Sequence, residues 1–149
     1  MNQEVDPFGN TERMMCLKQL AVLIENTPEI EGALVSTIDG FDIAAQLPPT
    51  ISASKLSAMA SSQLALAEAL CAETRVNTCK NIVIEAGQGN ILVMDIPNRR
   101  QRLLLTAISG SDTTLGKLLW NLHECADAIG ERLNASVRSA FALEAGGAG

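Results

Sequence analysis

Residues 32–47 read GALVSTIDGFDIAAQL, and this stretch decides the fold class. Two runs with strand character, 32–38 and 41–47, flank the dipeptide Asp39-Gly40. An Asp-Gly pair supplies the positive φ angles of a two-residue hairpin turn, so the stretch predicts two antiparallel strands joined by a tight turn. Pro48-Pro49 ends the second strand because a proline cannot donate a hydrogen bond to a neighbouring strand.

A second group of strands is predicted further along the chain. Runs 82–86 and 91–96 flank the glycine-rich loop 87–90, and a link over residues 97–102 leads to a third run, 103–108. Consecutive positions in these runs are apolar, which indicates that both faces of the strands are covered. The short connections favour antiparallel pairing, and the pattern therefore predicts a three-stranded meander.

Apolar residues at helical spacing predict three helices. The first runs over about 12–24 with Asn10 or Thr11 as its N-cap, the second over about 54–74 with Ser52 or Ser54 as its N-cap, and the last over about 113–133. The order helix, hairpin, helix, meander, helix predicts an α+β fold whose five-stranded antiparallel sheet has helices on both faces. The first and third helices suit one face, and the second suits the other.

The 149 residues fit one domain, because 47% of them are apolar and a chain of this length buries about 70% of its unfolded surface. We expect the domain to span residues 12–134. Residues 1–11 are expected to form a flexible lead, and residues 135–149 a disordered tail rich in Ala and Gly.

The second helix has few charges around its circumference. The stripe expected to pack on the sheet consists of Leu56, Met59, Ala60, Gln63, Leu64, Ala67, Leu70 and Cys71. Small residues occupy the rest: Ala58, Ser61, Ser62, Ala65, Ala69 and Ala72. A helix without a charged face usually hides more than one side, and one helix cannot cover five strands. We therefore expect a second copy of the chain or a client protein against these small residues; packing within the chain alone is the alternative.

Composition argues against several functions. The net charge of −6 does not favour contact with the phosphate backbone of a nucleic acid, and an aromatic content of 3% leaves few side chains that could stack on bases. No nucleic-acid partner is therefore expected. No Gly-x-Ser-x-Gly motif occurs, and the single histidine would have to serve as the base of any hydrolase. We expect no enzymatic activity and no cofactor.

Metal binding, secretion and membrane insertion are not expected either. His123 and Cys125 are two residues apart on a helix and point in different directions, so His123 is expected to be a partly buried structural residue and no metal site is predicted. The chain starts without the apolar stretch of a signal peptide, and no run approaches the 18 or so residues that span a bilayer. The four scattered cysteines are expected to be reduced thiols in a cytoplasmic protein.

The sequence resembles the roadblock / dynein light chain family, whose bacterial members include the MglB-type regulators of Ras-like GTPases. The resemblance begins with TPEIEGALVS over residues 27–36 and Asp39-Gly40-Phe41. It continues with the Ala/Ser-rich second helix, NIVIE over residues 81–85, and Leu115-Gly116 at the last helix. Together these features cover about residues 12–133.

The resemblance implies a dimer in which the central helices and the third strands pair across a twofold axis and form a continuous ten-stranded sheet. It thereby adds Ile82 and Ile84 to the expected dimer surface. It also implies a non-enzymatic adaptor that binds a small Ras-like GTPase and changes its nucleotide cycle, including stimulation of GTP hydrolysis. The family forms homo- or heterodimers, and a homodimer is expected here. The alternative is a structural scaffold of the same shape, which holds a peptide or a larger assembly without a GTPase.

Arg99, Arg100 and Arg102 form the one basic cluster. The favoured interpretation is a charged connection between two strands. The alternatives are an accessory basic patch that meets an acidic partner and, least favoured, an arginine finger that acts on a bound GTPase.

Overall fold

A computed structural model describes the backbone of residues 8–146 and the side chains of residues 8–136. The elements follow the predicted order of helix, hairpin, helix, meander and helix. They are α1 (Asn10–Asn26), β1 (Ile30–Thr37), β2 (Asp42–Gln46), α2 (Ala53–Thr74), β3 (Asn81–Ala86), β4 (Gly89–Ile96), β5 (Leu103–Gly110) and α3 (Leu115–Gly146).

The five strands form one antiparallel sheet in the order β2-β1-β5-β4-β3, which confirms the predicted α+β fold. β5 returns to the middle of the sheet and pairs with both β1 and β4. This return leaves β2 and β3 at the two edges. The Arg13 guanidinium of α1 donates a hydrogen bond of 2.9 Å to the backbone carbonyl of Ile43 in β2.

Helices cover both faces of the sheet, as expected. α1 and α3 pack on one face over the larger core, and α2 packs on the other face over a smaller one. The apolar run in β5 shows the division: Leu103 and Leu105 belong to the larger core, while Leu104 between them belongs to the smaller one. Because side chains alternate along a strand, a continuous apolar run serves two cores.

The turns differ from the predicted turns by one or two residues. β1 ends at Thr37 and β2 begins at Asp42, so four residues connect them, and of the expected Asp-Gly pair only Gly40 has a positive φ, +93°. The reason is a local bond, because the Thr37 hydroxyl accepts a hydrogen bond from the Phe41 N–H at 3.1 Å and lengthens the turn. In the second hairpin, Gly89 already pairs in β4, which leaves only residues 87–88 in the loop.

The observed N-cap differs from the predicted one in α1 and agrees with it in α2. Gly9, not Asn10 or Thr11, is the N-cap of α1, and its N–H donates to the Glu12 carboxylate at 3.2 Å. Ser52 caps α2 by accepting from the Lys55 N–H, as one of the two alternatives predicted.

The last helix is longer than predicted. α3 continues to Gly146 instead of ending near residue 133, and the part of the expected disordered tail that the structure describes, 135–146, is helical. This stretch has no proline and contains four alanines together with Arg138, Leu143 and Glu144, which are all good helix formers, and this composition allows the helix to continue. At the other end, Phe8 is buried in the larger core, so order begins inside the expected lead; residues 1–7 and 147–149 lie outside the described residues.

Candidate partner-binding surface

The outer side of α2 is exposed along the whole helix. Only Ser57, Ala60 and Leu64 of its residues are buried, and the last two pack on Val93 and Leu104 of the sheet. The opposite side, which we call the α2 face, consists of Ala58, Met59, Ser62, Ala65, Leu66, Ala69, Leu70 and Ala72, all of them exposed.

Three large apolar side chains on this face are exposed, and two of them, Met59 and Leu70, were predicted to be buried. Met59 is 64% exposed, Leu66 63% and Leu70 66%. The prediction that Met59, Leu70 and Gln63 belong to the buried stripe is wrong, because α2 touches the sheet along a narrow line formed by Ser57, Ala60 and Leu64. Leu66 was not predicted at all. The sequence did contain a signal for this apolar surface, since no charged residue occurs between Lys55 and Glu68.

Most of the predicted small residues lie on the α2 face. Ala58, Ser62, Ala65, Ala69 and Ala72 are exposed there. Ser61 differs, because it is half-buried and its hydroxyl donates to the carbonyl of Ile38 at the β1–β2 turn. The structure thus places five of the six residues on one side and turns the sixth towards the chain's own hairpin.

The edge strand β3 lies at one end of the sheet. Ile82 and Ile84, the predicted strand contribution, are half-buried, and Val83 between them is 38% exposed. Ile82 packs on the smaller core beneath α2. No strand of the described chain pairs with the outer side of β3. An unpaired strand edge is a ready template for another strand, so β3, like the other edge strand β2, is an edge at which the sheet can be extended.

Two of the three arginines of the basic cluster form ion pairs within the chain. The Arg102 guanidinium pairs with Asp95 of β4 at 3.1 Å and with Glu68 of α2, and so ties the helix to the sheet. Arg100 pairs with Glu12 of α1. These contacts favour the interpretation of a charged connection; Arg99 forms no ion pair with a described residue.

The remaining sequence candidates lie apart from the α2 face. His123 is exposed on α3, so the expectation of a partly buried histidine is wrong. Cys16 and Cys125 are buried, and burial raises the pKa of their thiols to about 11 and about 12. Within the described residues, no group of three His, Cys, Asp or Glu side chains is placed to hold a metal ion. None of the helices described is both long and apolar enough to cross a membrane.

Comparisons with known proteins agree with this architecture. Residues 17–107 match the model of the Roadblock/LC7 domain. The uncharacterized protein MJ0310 of Methanocaldococcus jannaschii is 32% identical over 110 residues, which are 72% of this chain and 93% of that protein.

Solved structures of low sequence identity share the fold, two MglB structures among them. Myxococcus xanthus MglB superposes with a TM-score of 0.75 at 14% identity, over 86% of this chain and 94% of that one. An MglB with a tetrameric arrangement superposes with a TM-score of 0.72 at 17% identity, over 89% and 98% of the two chains.

Proposed function

Because the chain belongs to the Roadblock/LC7 domain family, we propose that it is a cytoplasmic, non-enzymatic homodimer that binds a small Ras-like GTPase and regulates its nucleotide cycle. The observation that carries the proposal is the α2 face, an exposed helix side with three large apolar residues and no charge at its centre. The proposed partners are a second copy of the chain and the GTPase, with neither nucleic acid nor membrane insertion involved.

The exposed side chains favour self-association. Complete burial of a Leu or Met side chain stabilises a complex by about 1.5–3 kcal/mol, so Met59, Leu66 and Leu70 of each copy together offset a large part of the cost of association. The small residues Ala58, Ala65 and Ala69 allow a second backbone to approach closely. A tetrameric arrangement is known for one of the structural neighbours, an MglB, which supports self-association in this fold.

The strand edge complements the helix. We propose that β3 pairs with β3 of a second copy, so that Ile82 and Ile84 lie near the twofold axis and the two sheets form ten continuous strands. Main-chain hydrogen bonds along β3 then fix the register, while side chains of the α2 face supply the apolar contact. The two α2 helices together present one broad surface to the GTPase.

Regulation by such a dimer requires no catalytic group from this chain. A protein that binds one conformation of a GTPase more tightly shifts the population of its loops towards that conformation by the difference in binding free energy. If the favoured conformation orders the GTPase's own catalytic loop, hydrolysis accelerates. The acidic chain, with its net charge of −6, would select a basic surface on the partner.

The experiment is to mix the purified protein with each small Ras-like GTPase encoded in the same genome, a neighbouring gene first. We expect one GTPase to bind in a nucleotide-dependent manner and to hydrolyse GTP at a changed rate. Binding is measured by calorimetry with the GDP form and with a non-hydrolysable GTP form, and hydrolysis by phosphate release. If no GTPase binds in either form, the GTPase role is wrong, whatever the oligomeric state.

A structural scaffold remains the second candidate, and one observation favours it. On the opposite side of the sheet, α1 and α3 border a cleft of about 360 Å³ beside Trp120, whose side chain is 69% exposed. A second exposed site, lined by apolar and polar side chains, would let the dimer hold another protein. Nucleotide-independent binding to other proteins, together with unchanged GTP hydrolysis, would favour the scaffold.

A further inference from the structure

α1 and α3 border a cleft of about 360 Å³ on the side of the sheet away from α2. The Asn121 amide of α3 donates a hydrogen bond of 2.8 Å to the Thr27 hydroxyl, directly after α1. The Cys125 thiol of α3 lies 3.7 Å from the backbone carbonyl oxygen of Gln19 in α1. Because the later residue of α3 meets the earlier residue of α1, the two helices run antiparallel, and the carboxyl end of α1 lies near Trp120.

An indole ring is exposed at this cleft. Trp120 lines the cleft, is the only tryptophan of the chain and is 69% exposed. Val22 of α1, which also lines the cleft, is 42% exposed. Tryptophan is one of the residues that contribute most to binding at protein interfaces, and the face of its ring attracts cations. The ring therefore offers a contact for a positively charged side chain.

A buried side chain of the cleft has an unused amide. Gln19 lines the cleft and is 8% exposed. Among the described residues, none forms a hydrogen bond with its side-chain amide, whereas Asn121 and Thr27 beside it bond to each other. A buried amide is costly to leave unpaired. A group that enters the cleft with N–H donors therefore finds an acceptor in the Oε1 atom of Gln19.

The charges along the cleft are negative. Glu124 lines the cleft, and Asp127 and Glu131 follow it at helical spacing at exposed positions of α3. Glu25 is exposed in the last turn of α1, which contains no basic residue. The carbonyl groups at the carboxyl end of a helix carry partial negative charge, so the end of α1 adds to the effect of these carboxylates.

None of the cations of the described residues lines the cleft. Lys117 pairs with Glu29 at 3.4 Å, and Lys18 and Arg132 are exposed elsewhere on the two helices. His123 is exposed and does not line the cleft either. The cleft therefore complements a positive charge that another molecule supplies.

We propose that this cleft binds a basic segment of a partner protein other than the GTPase, and that one arginine side chain of this segment occupies it. The guanidinium stacks on the Trp120 indole and donates to the Glu124 carboxylate and to Oε1 of Gln19. Arginine suits the cleft better than lysine, because its planar guanidinium stacks on a ring and donates in several directions at once. Such binding gives the scaffold role a defined class of partner, and it holds whether or not a GTPase binds to the α2 face on the other side of the sheet.

The single tryptophan reports on the cleft directly, because the chain has no tyrosine. The full-length protein is titrated with a pool of synthetic heptapeptides that have a fixed central arginine and random flanks without aromatic residues. A matched pool carries citrulline, which has the shape of arginine without its charge. We expect the arginine pool to move the emission of Trp120 to shorter wavelength, with an apparent affinity at least about tenfold higher than that of the citrulline pool.

Two variants that keep Trp120 test the other contacts. Glu124→Gln and Gln19→Leu should each weaken binding of the arginine pool by about five- to tenfold. Glu73→Gln removes the same charge as Glu124→Gln from an exposed position near the end of α2, and this matched control should bind as the wild type does.

Several results would overturn the proposal: no shift with the arginine pool, equal affinities for the two pools, or wild-type affinity in both Glu124→Gln and Gln19→Leu. A shift of the Trp120 emission that grows with protein concentration in the absence of peptide would assign the cleft to a second copy of the chain, and would also overturn it. None of these results depends on a GTPase, because no GTPase is present in the titration.

Discussion

The variant Ala65→Arg is expected to be a folded monomer that no longer binds a GTPase. Ala65 is exposed on the α2 face, so an arginine there has room in the isolated chain. Association would transfer its guanidinium into an apolar contact without a partner charge, which costs several kcal/mol. We expect the dimer to weaken by at least about 100-fold, or about 3 kcal/mol. Light scattering during size-exclusion chromatography gives the mass, and circular dichroism the helix content.

Ala21→Arg is the matched control. Ala21 is an exposed alanine on α1, which packs on the other face of the sheet, and this substitution should change neither the mass nor GTPase binding. Equal mass and equal GTPase binding of the two variants would show that the α2 face takes part in neither contact. The GTPase assay separates the two roles, because loss of GTPase binding with an intact dimer would assign Ala65 to the client and not to the twofold contact.

Gly130→Ala is expected to destabilise the fold by about 3 kcal/mol. Gly130 is buried in α3, and a Cβ atom added to it would overlap the backbone carbonyl oxygen of Pro97. Both sides of this contact are main chain, so no side chain can rotate away, and α3 must move off the sheet. Urea unfolding at a fixed protein concentration measures the change in free energy.

Gly116→Ala, in the same helix, separates this contact from helix propensity. No atom lies within 4 Å of the position that its Cβ would take, and the residue is exposed. The alanine should therefore stabilise α3 by up to about 1 kcal/mol. If the two substitutions changed stability in the same direction and by the same amount, the close approach of α3 to Pro97 would be contradicted.

Local patterns were sufficient to predict the architecture. The runs with strand character on either side of Asp39-Gly40 and the continuous apolar runs in β4 and β5 predict strands, and the structure has strands at both places. The length of the first turn could not be predicted from the sequence, because the hydrogen bond to the Thr37 hydroxyl that lengthens it depends on three-dimensional geometry.

The candidate surface was only partly predictable. The absence of charge on α2 indicated a hidden side, but a helix that is small and apolar all round has no single stripe, so periodicity could not decide that Met59 and Leu70 face outwards. That choice depends on where the sheet lies relative to α2. The partner is a separate molecule, and no residue pattern in this chain identifies which GTPase it binds.

The mass of the wild-type protein in solution tests self-association through the α2 face most directly. Sedimentation equilibrium over a dilution series should give twice the 15.8 kDa of one chain, or an even multiple of it, at the higher concentrations. A mass of 15.8 kDa at the highest concentration that stays in solution, with rapid hydrogen exchange along α2, would contradict it.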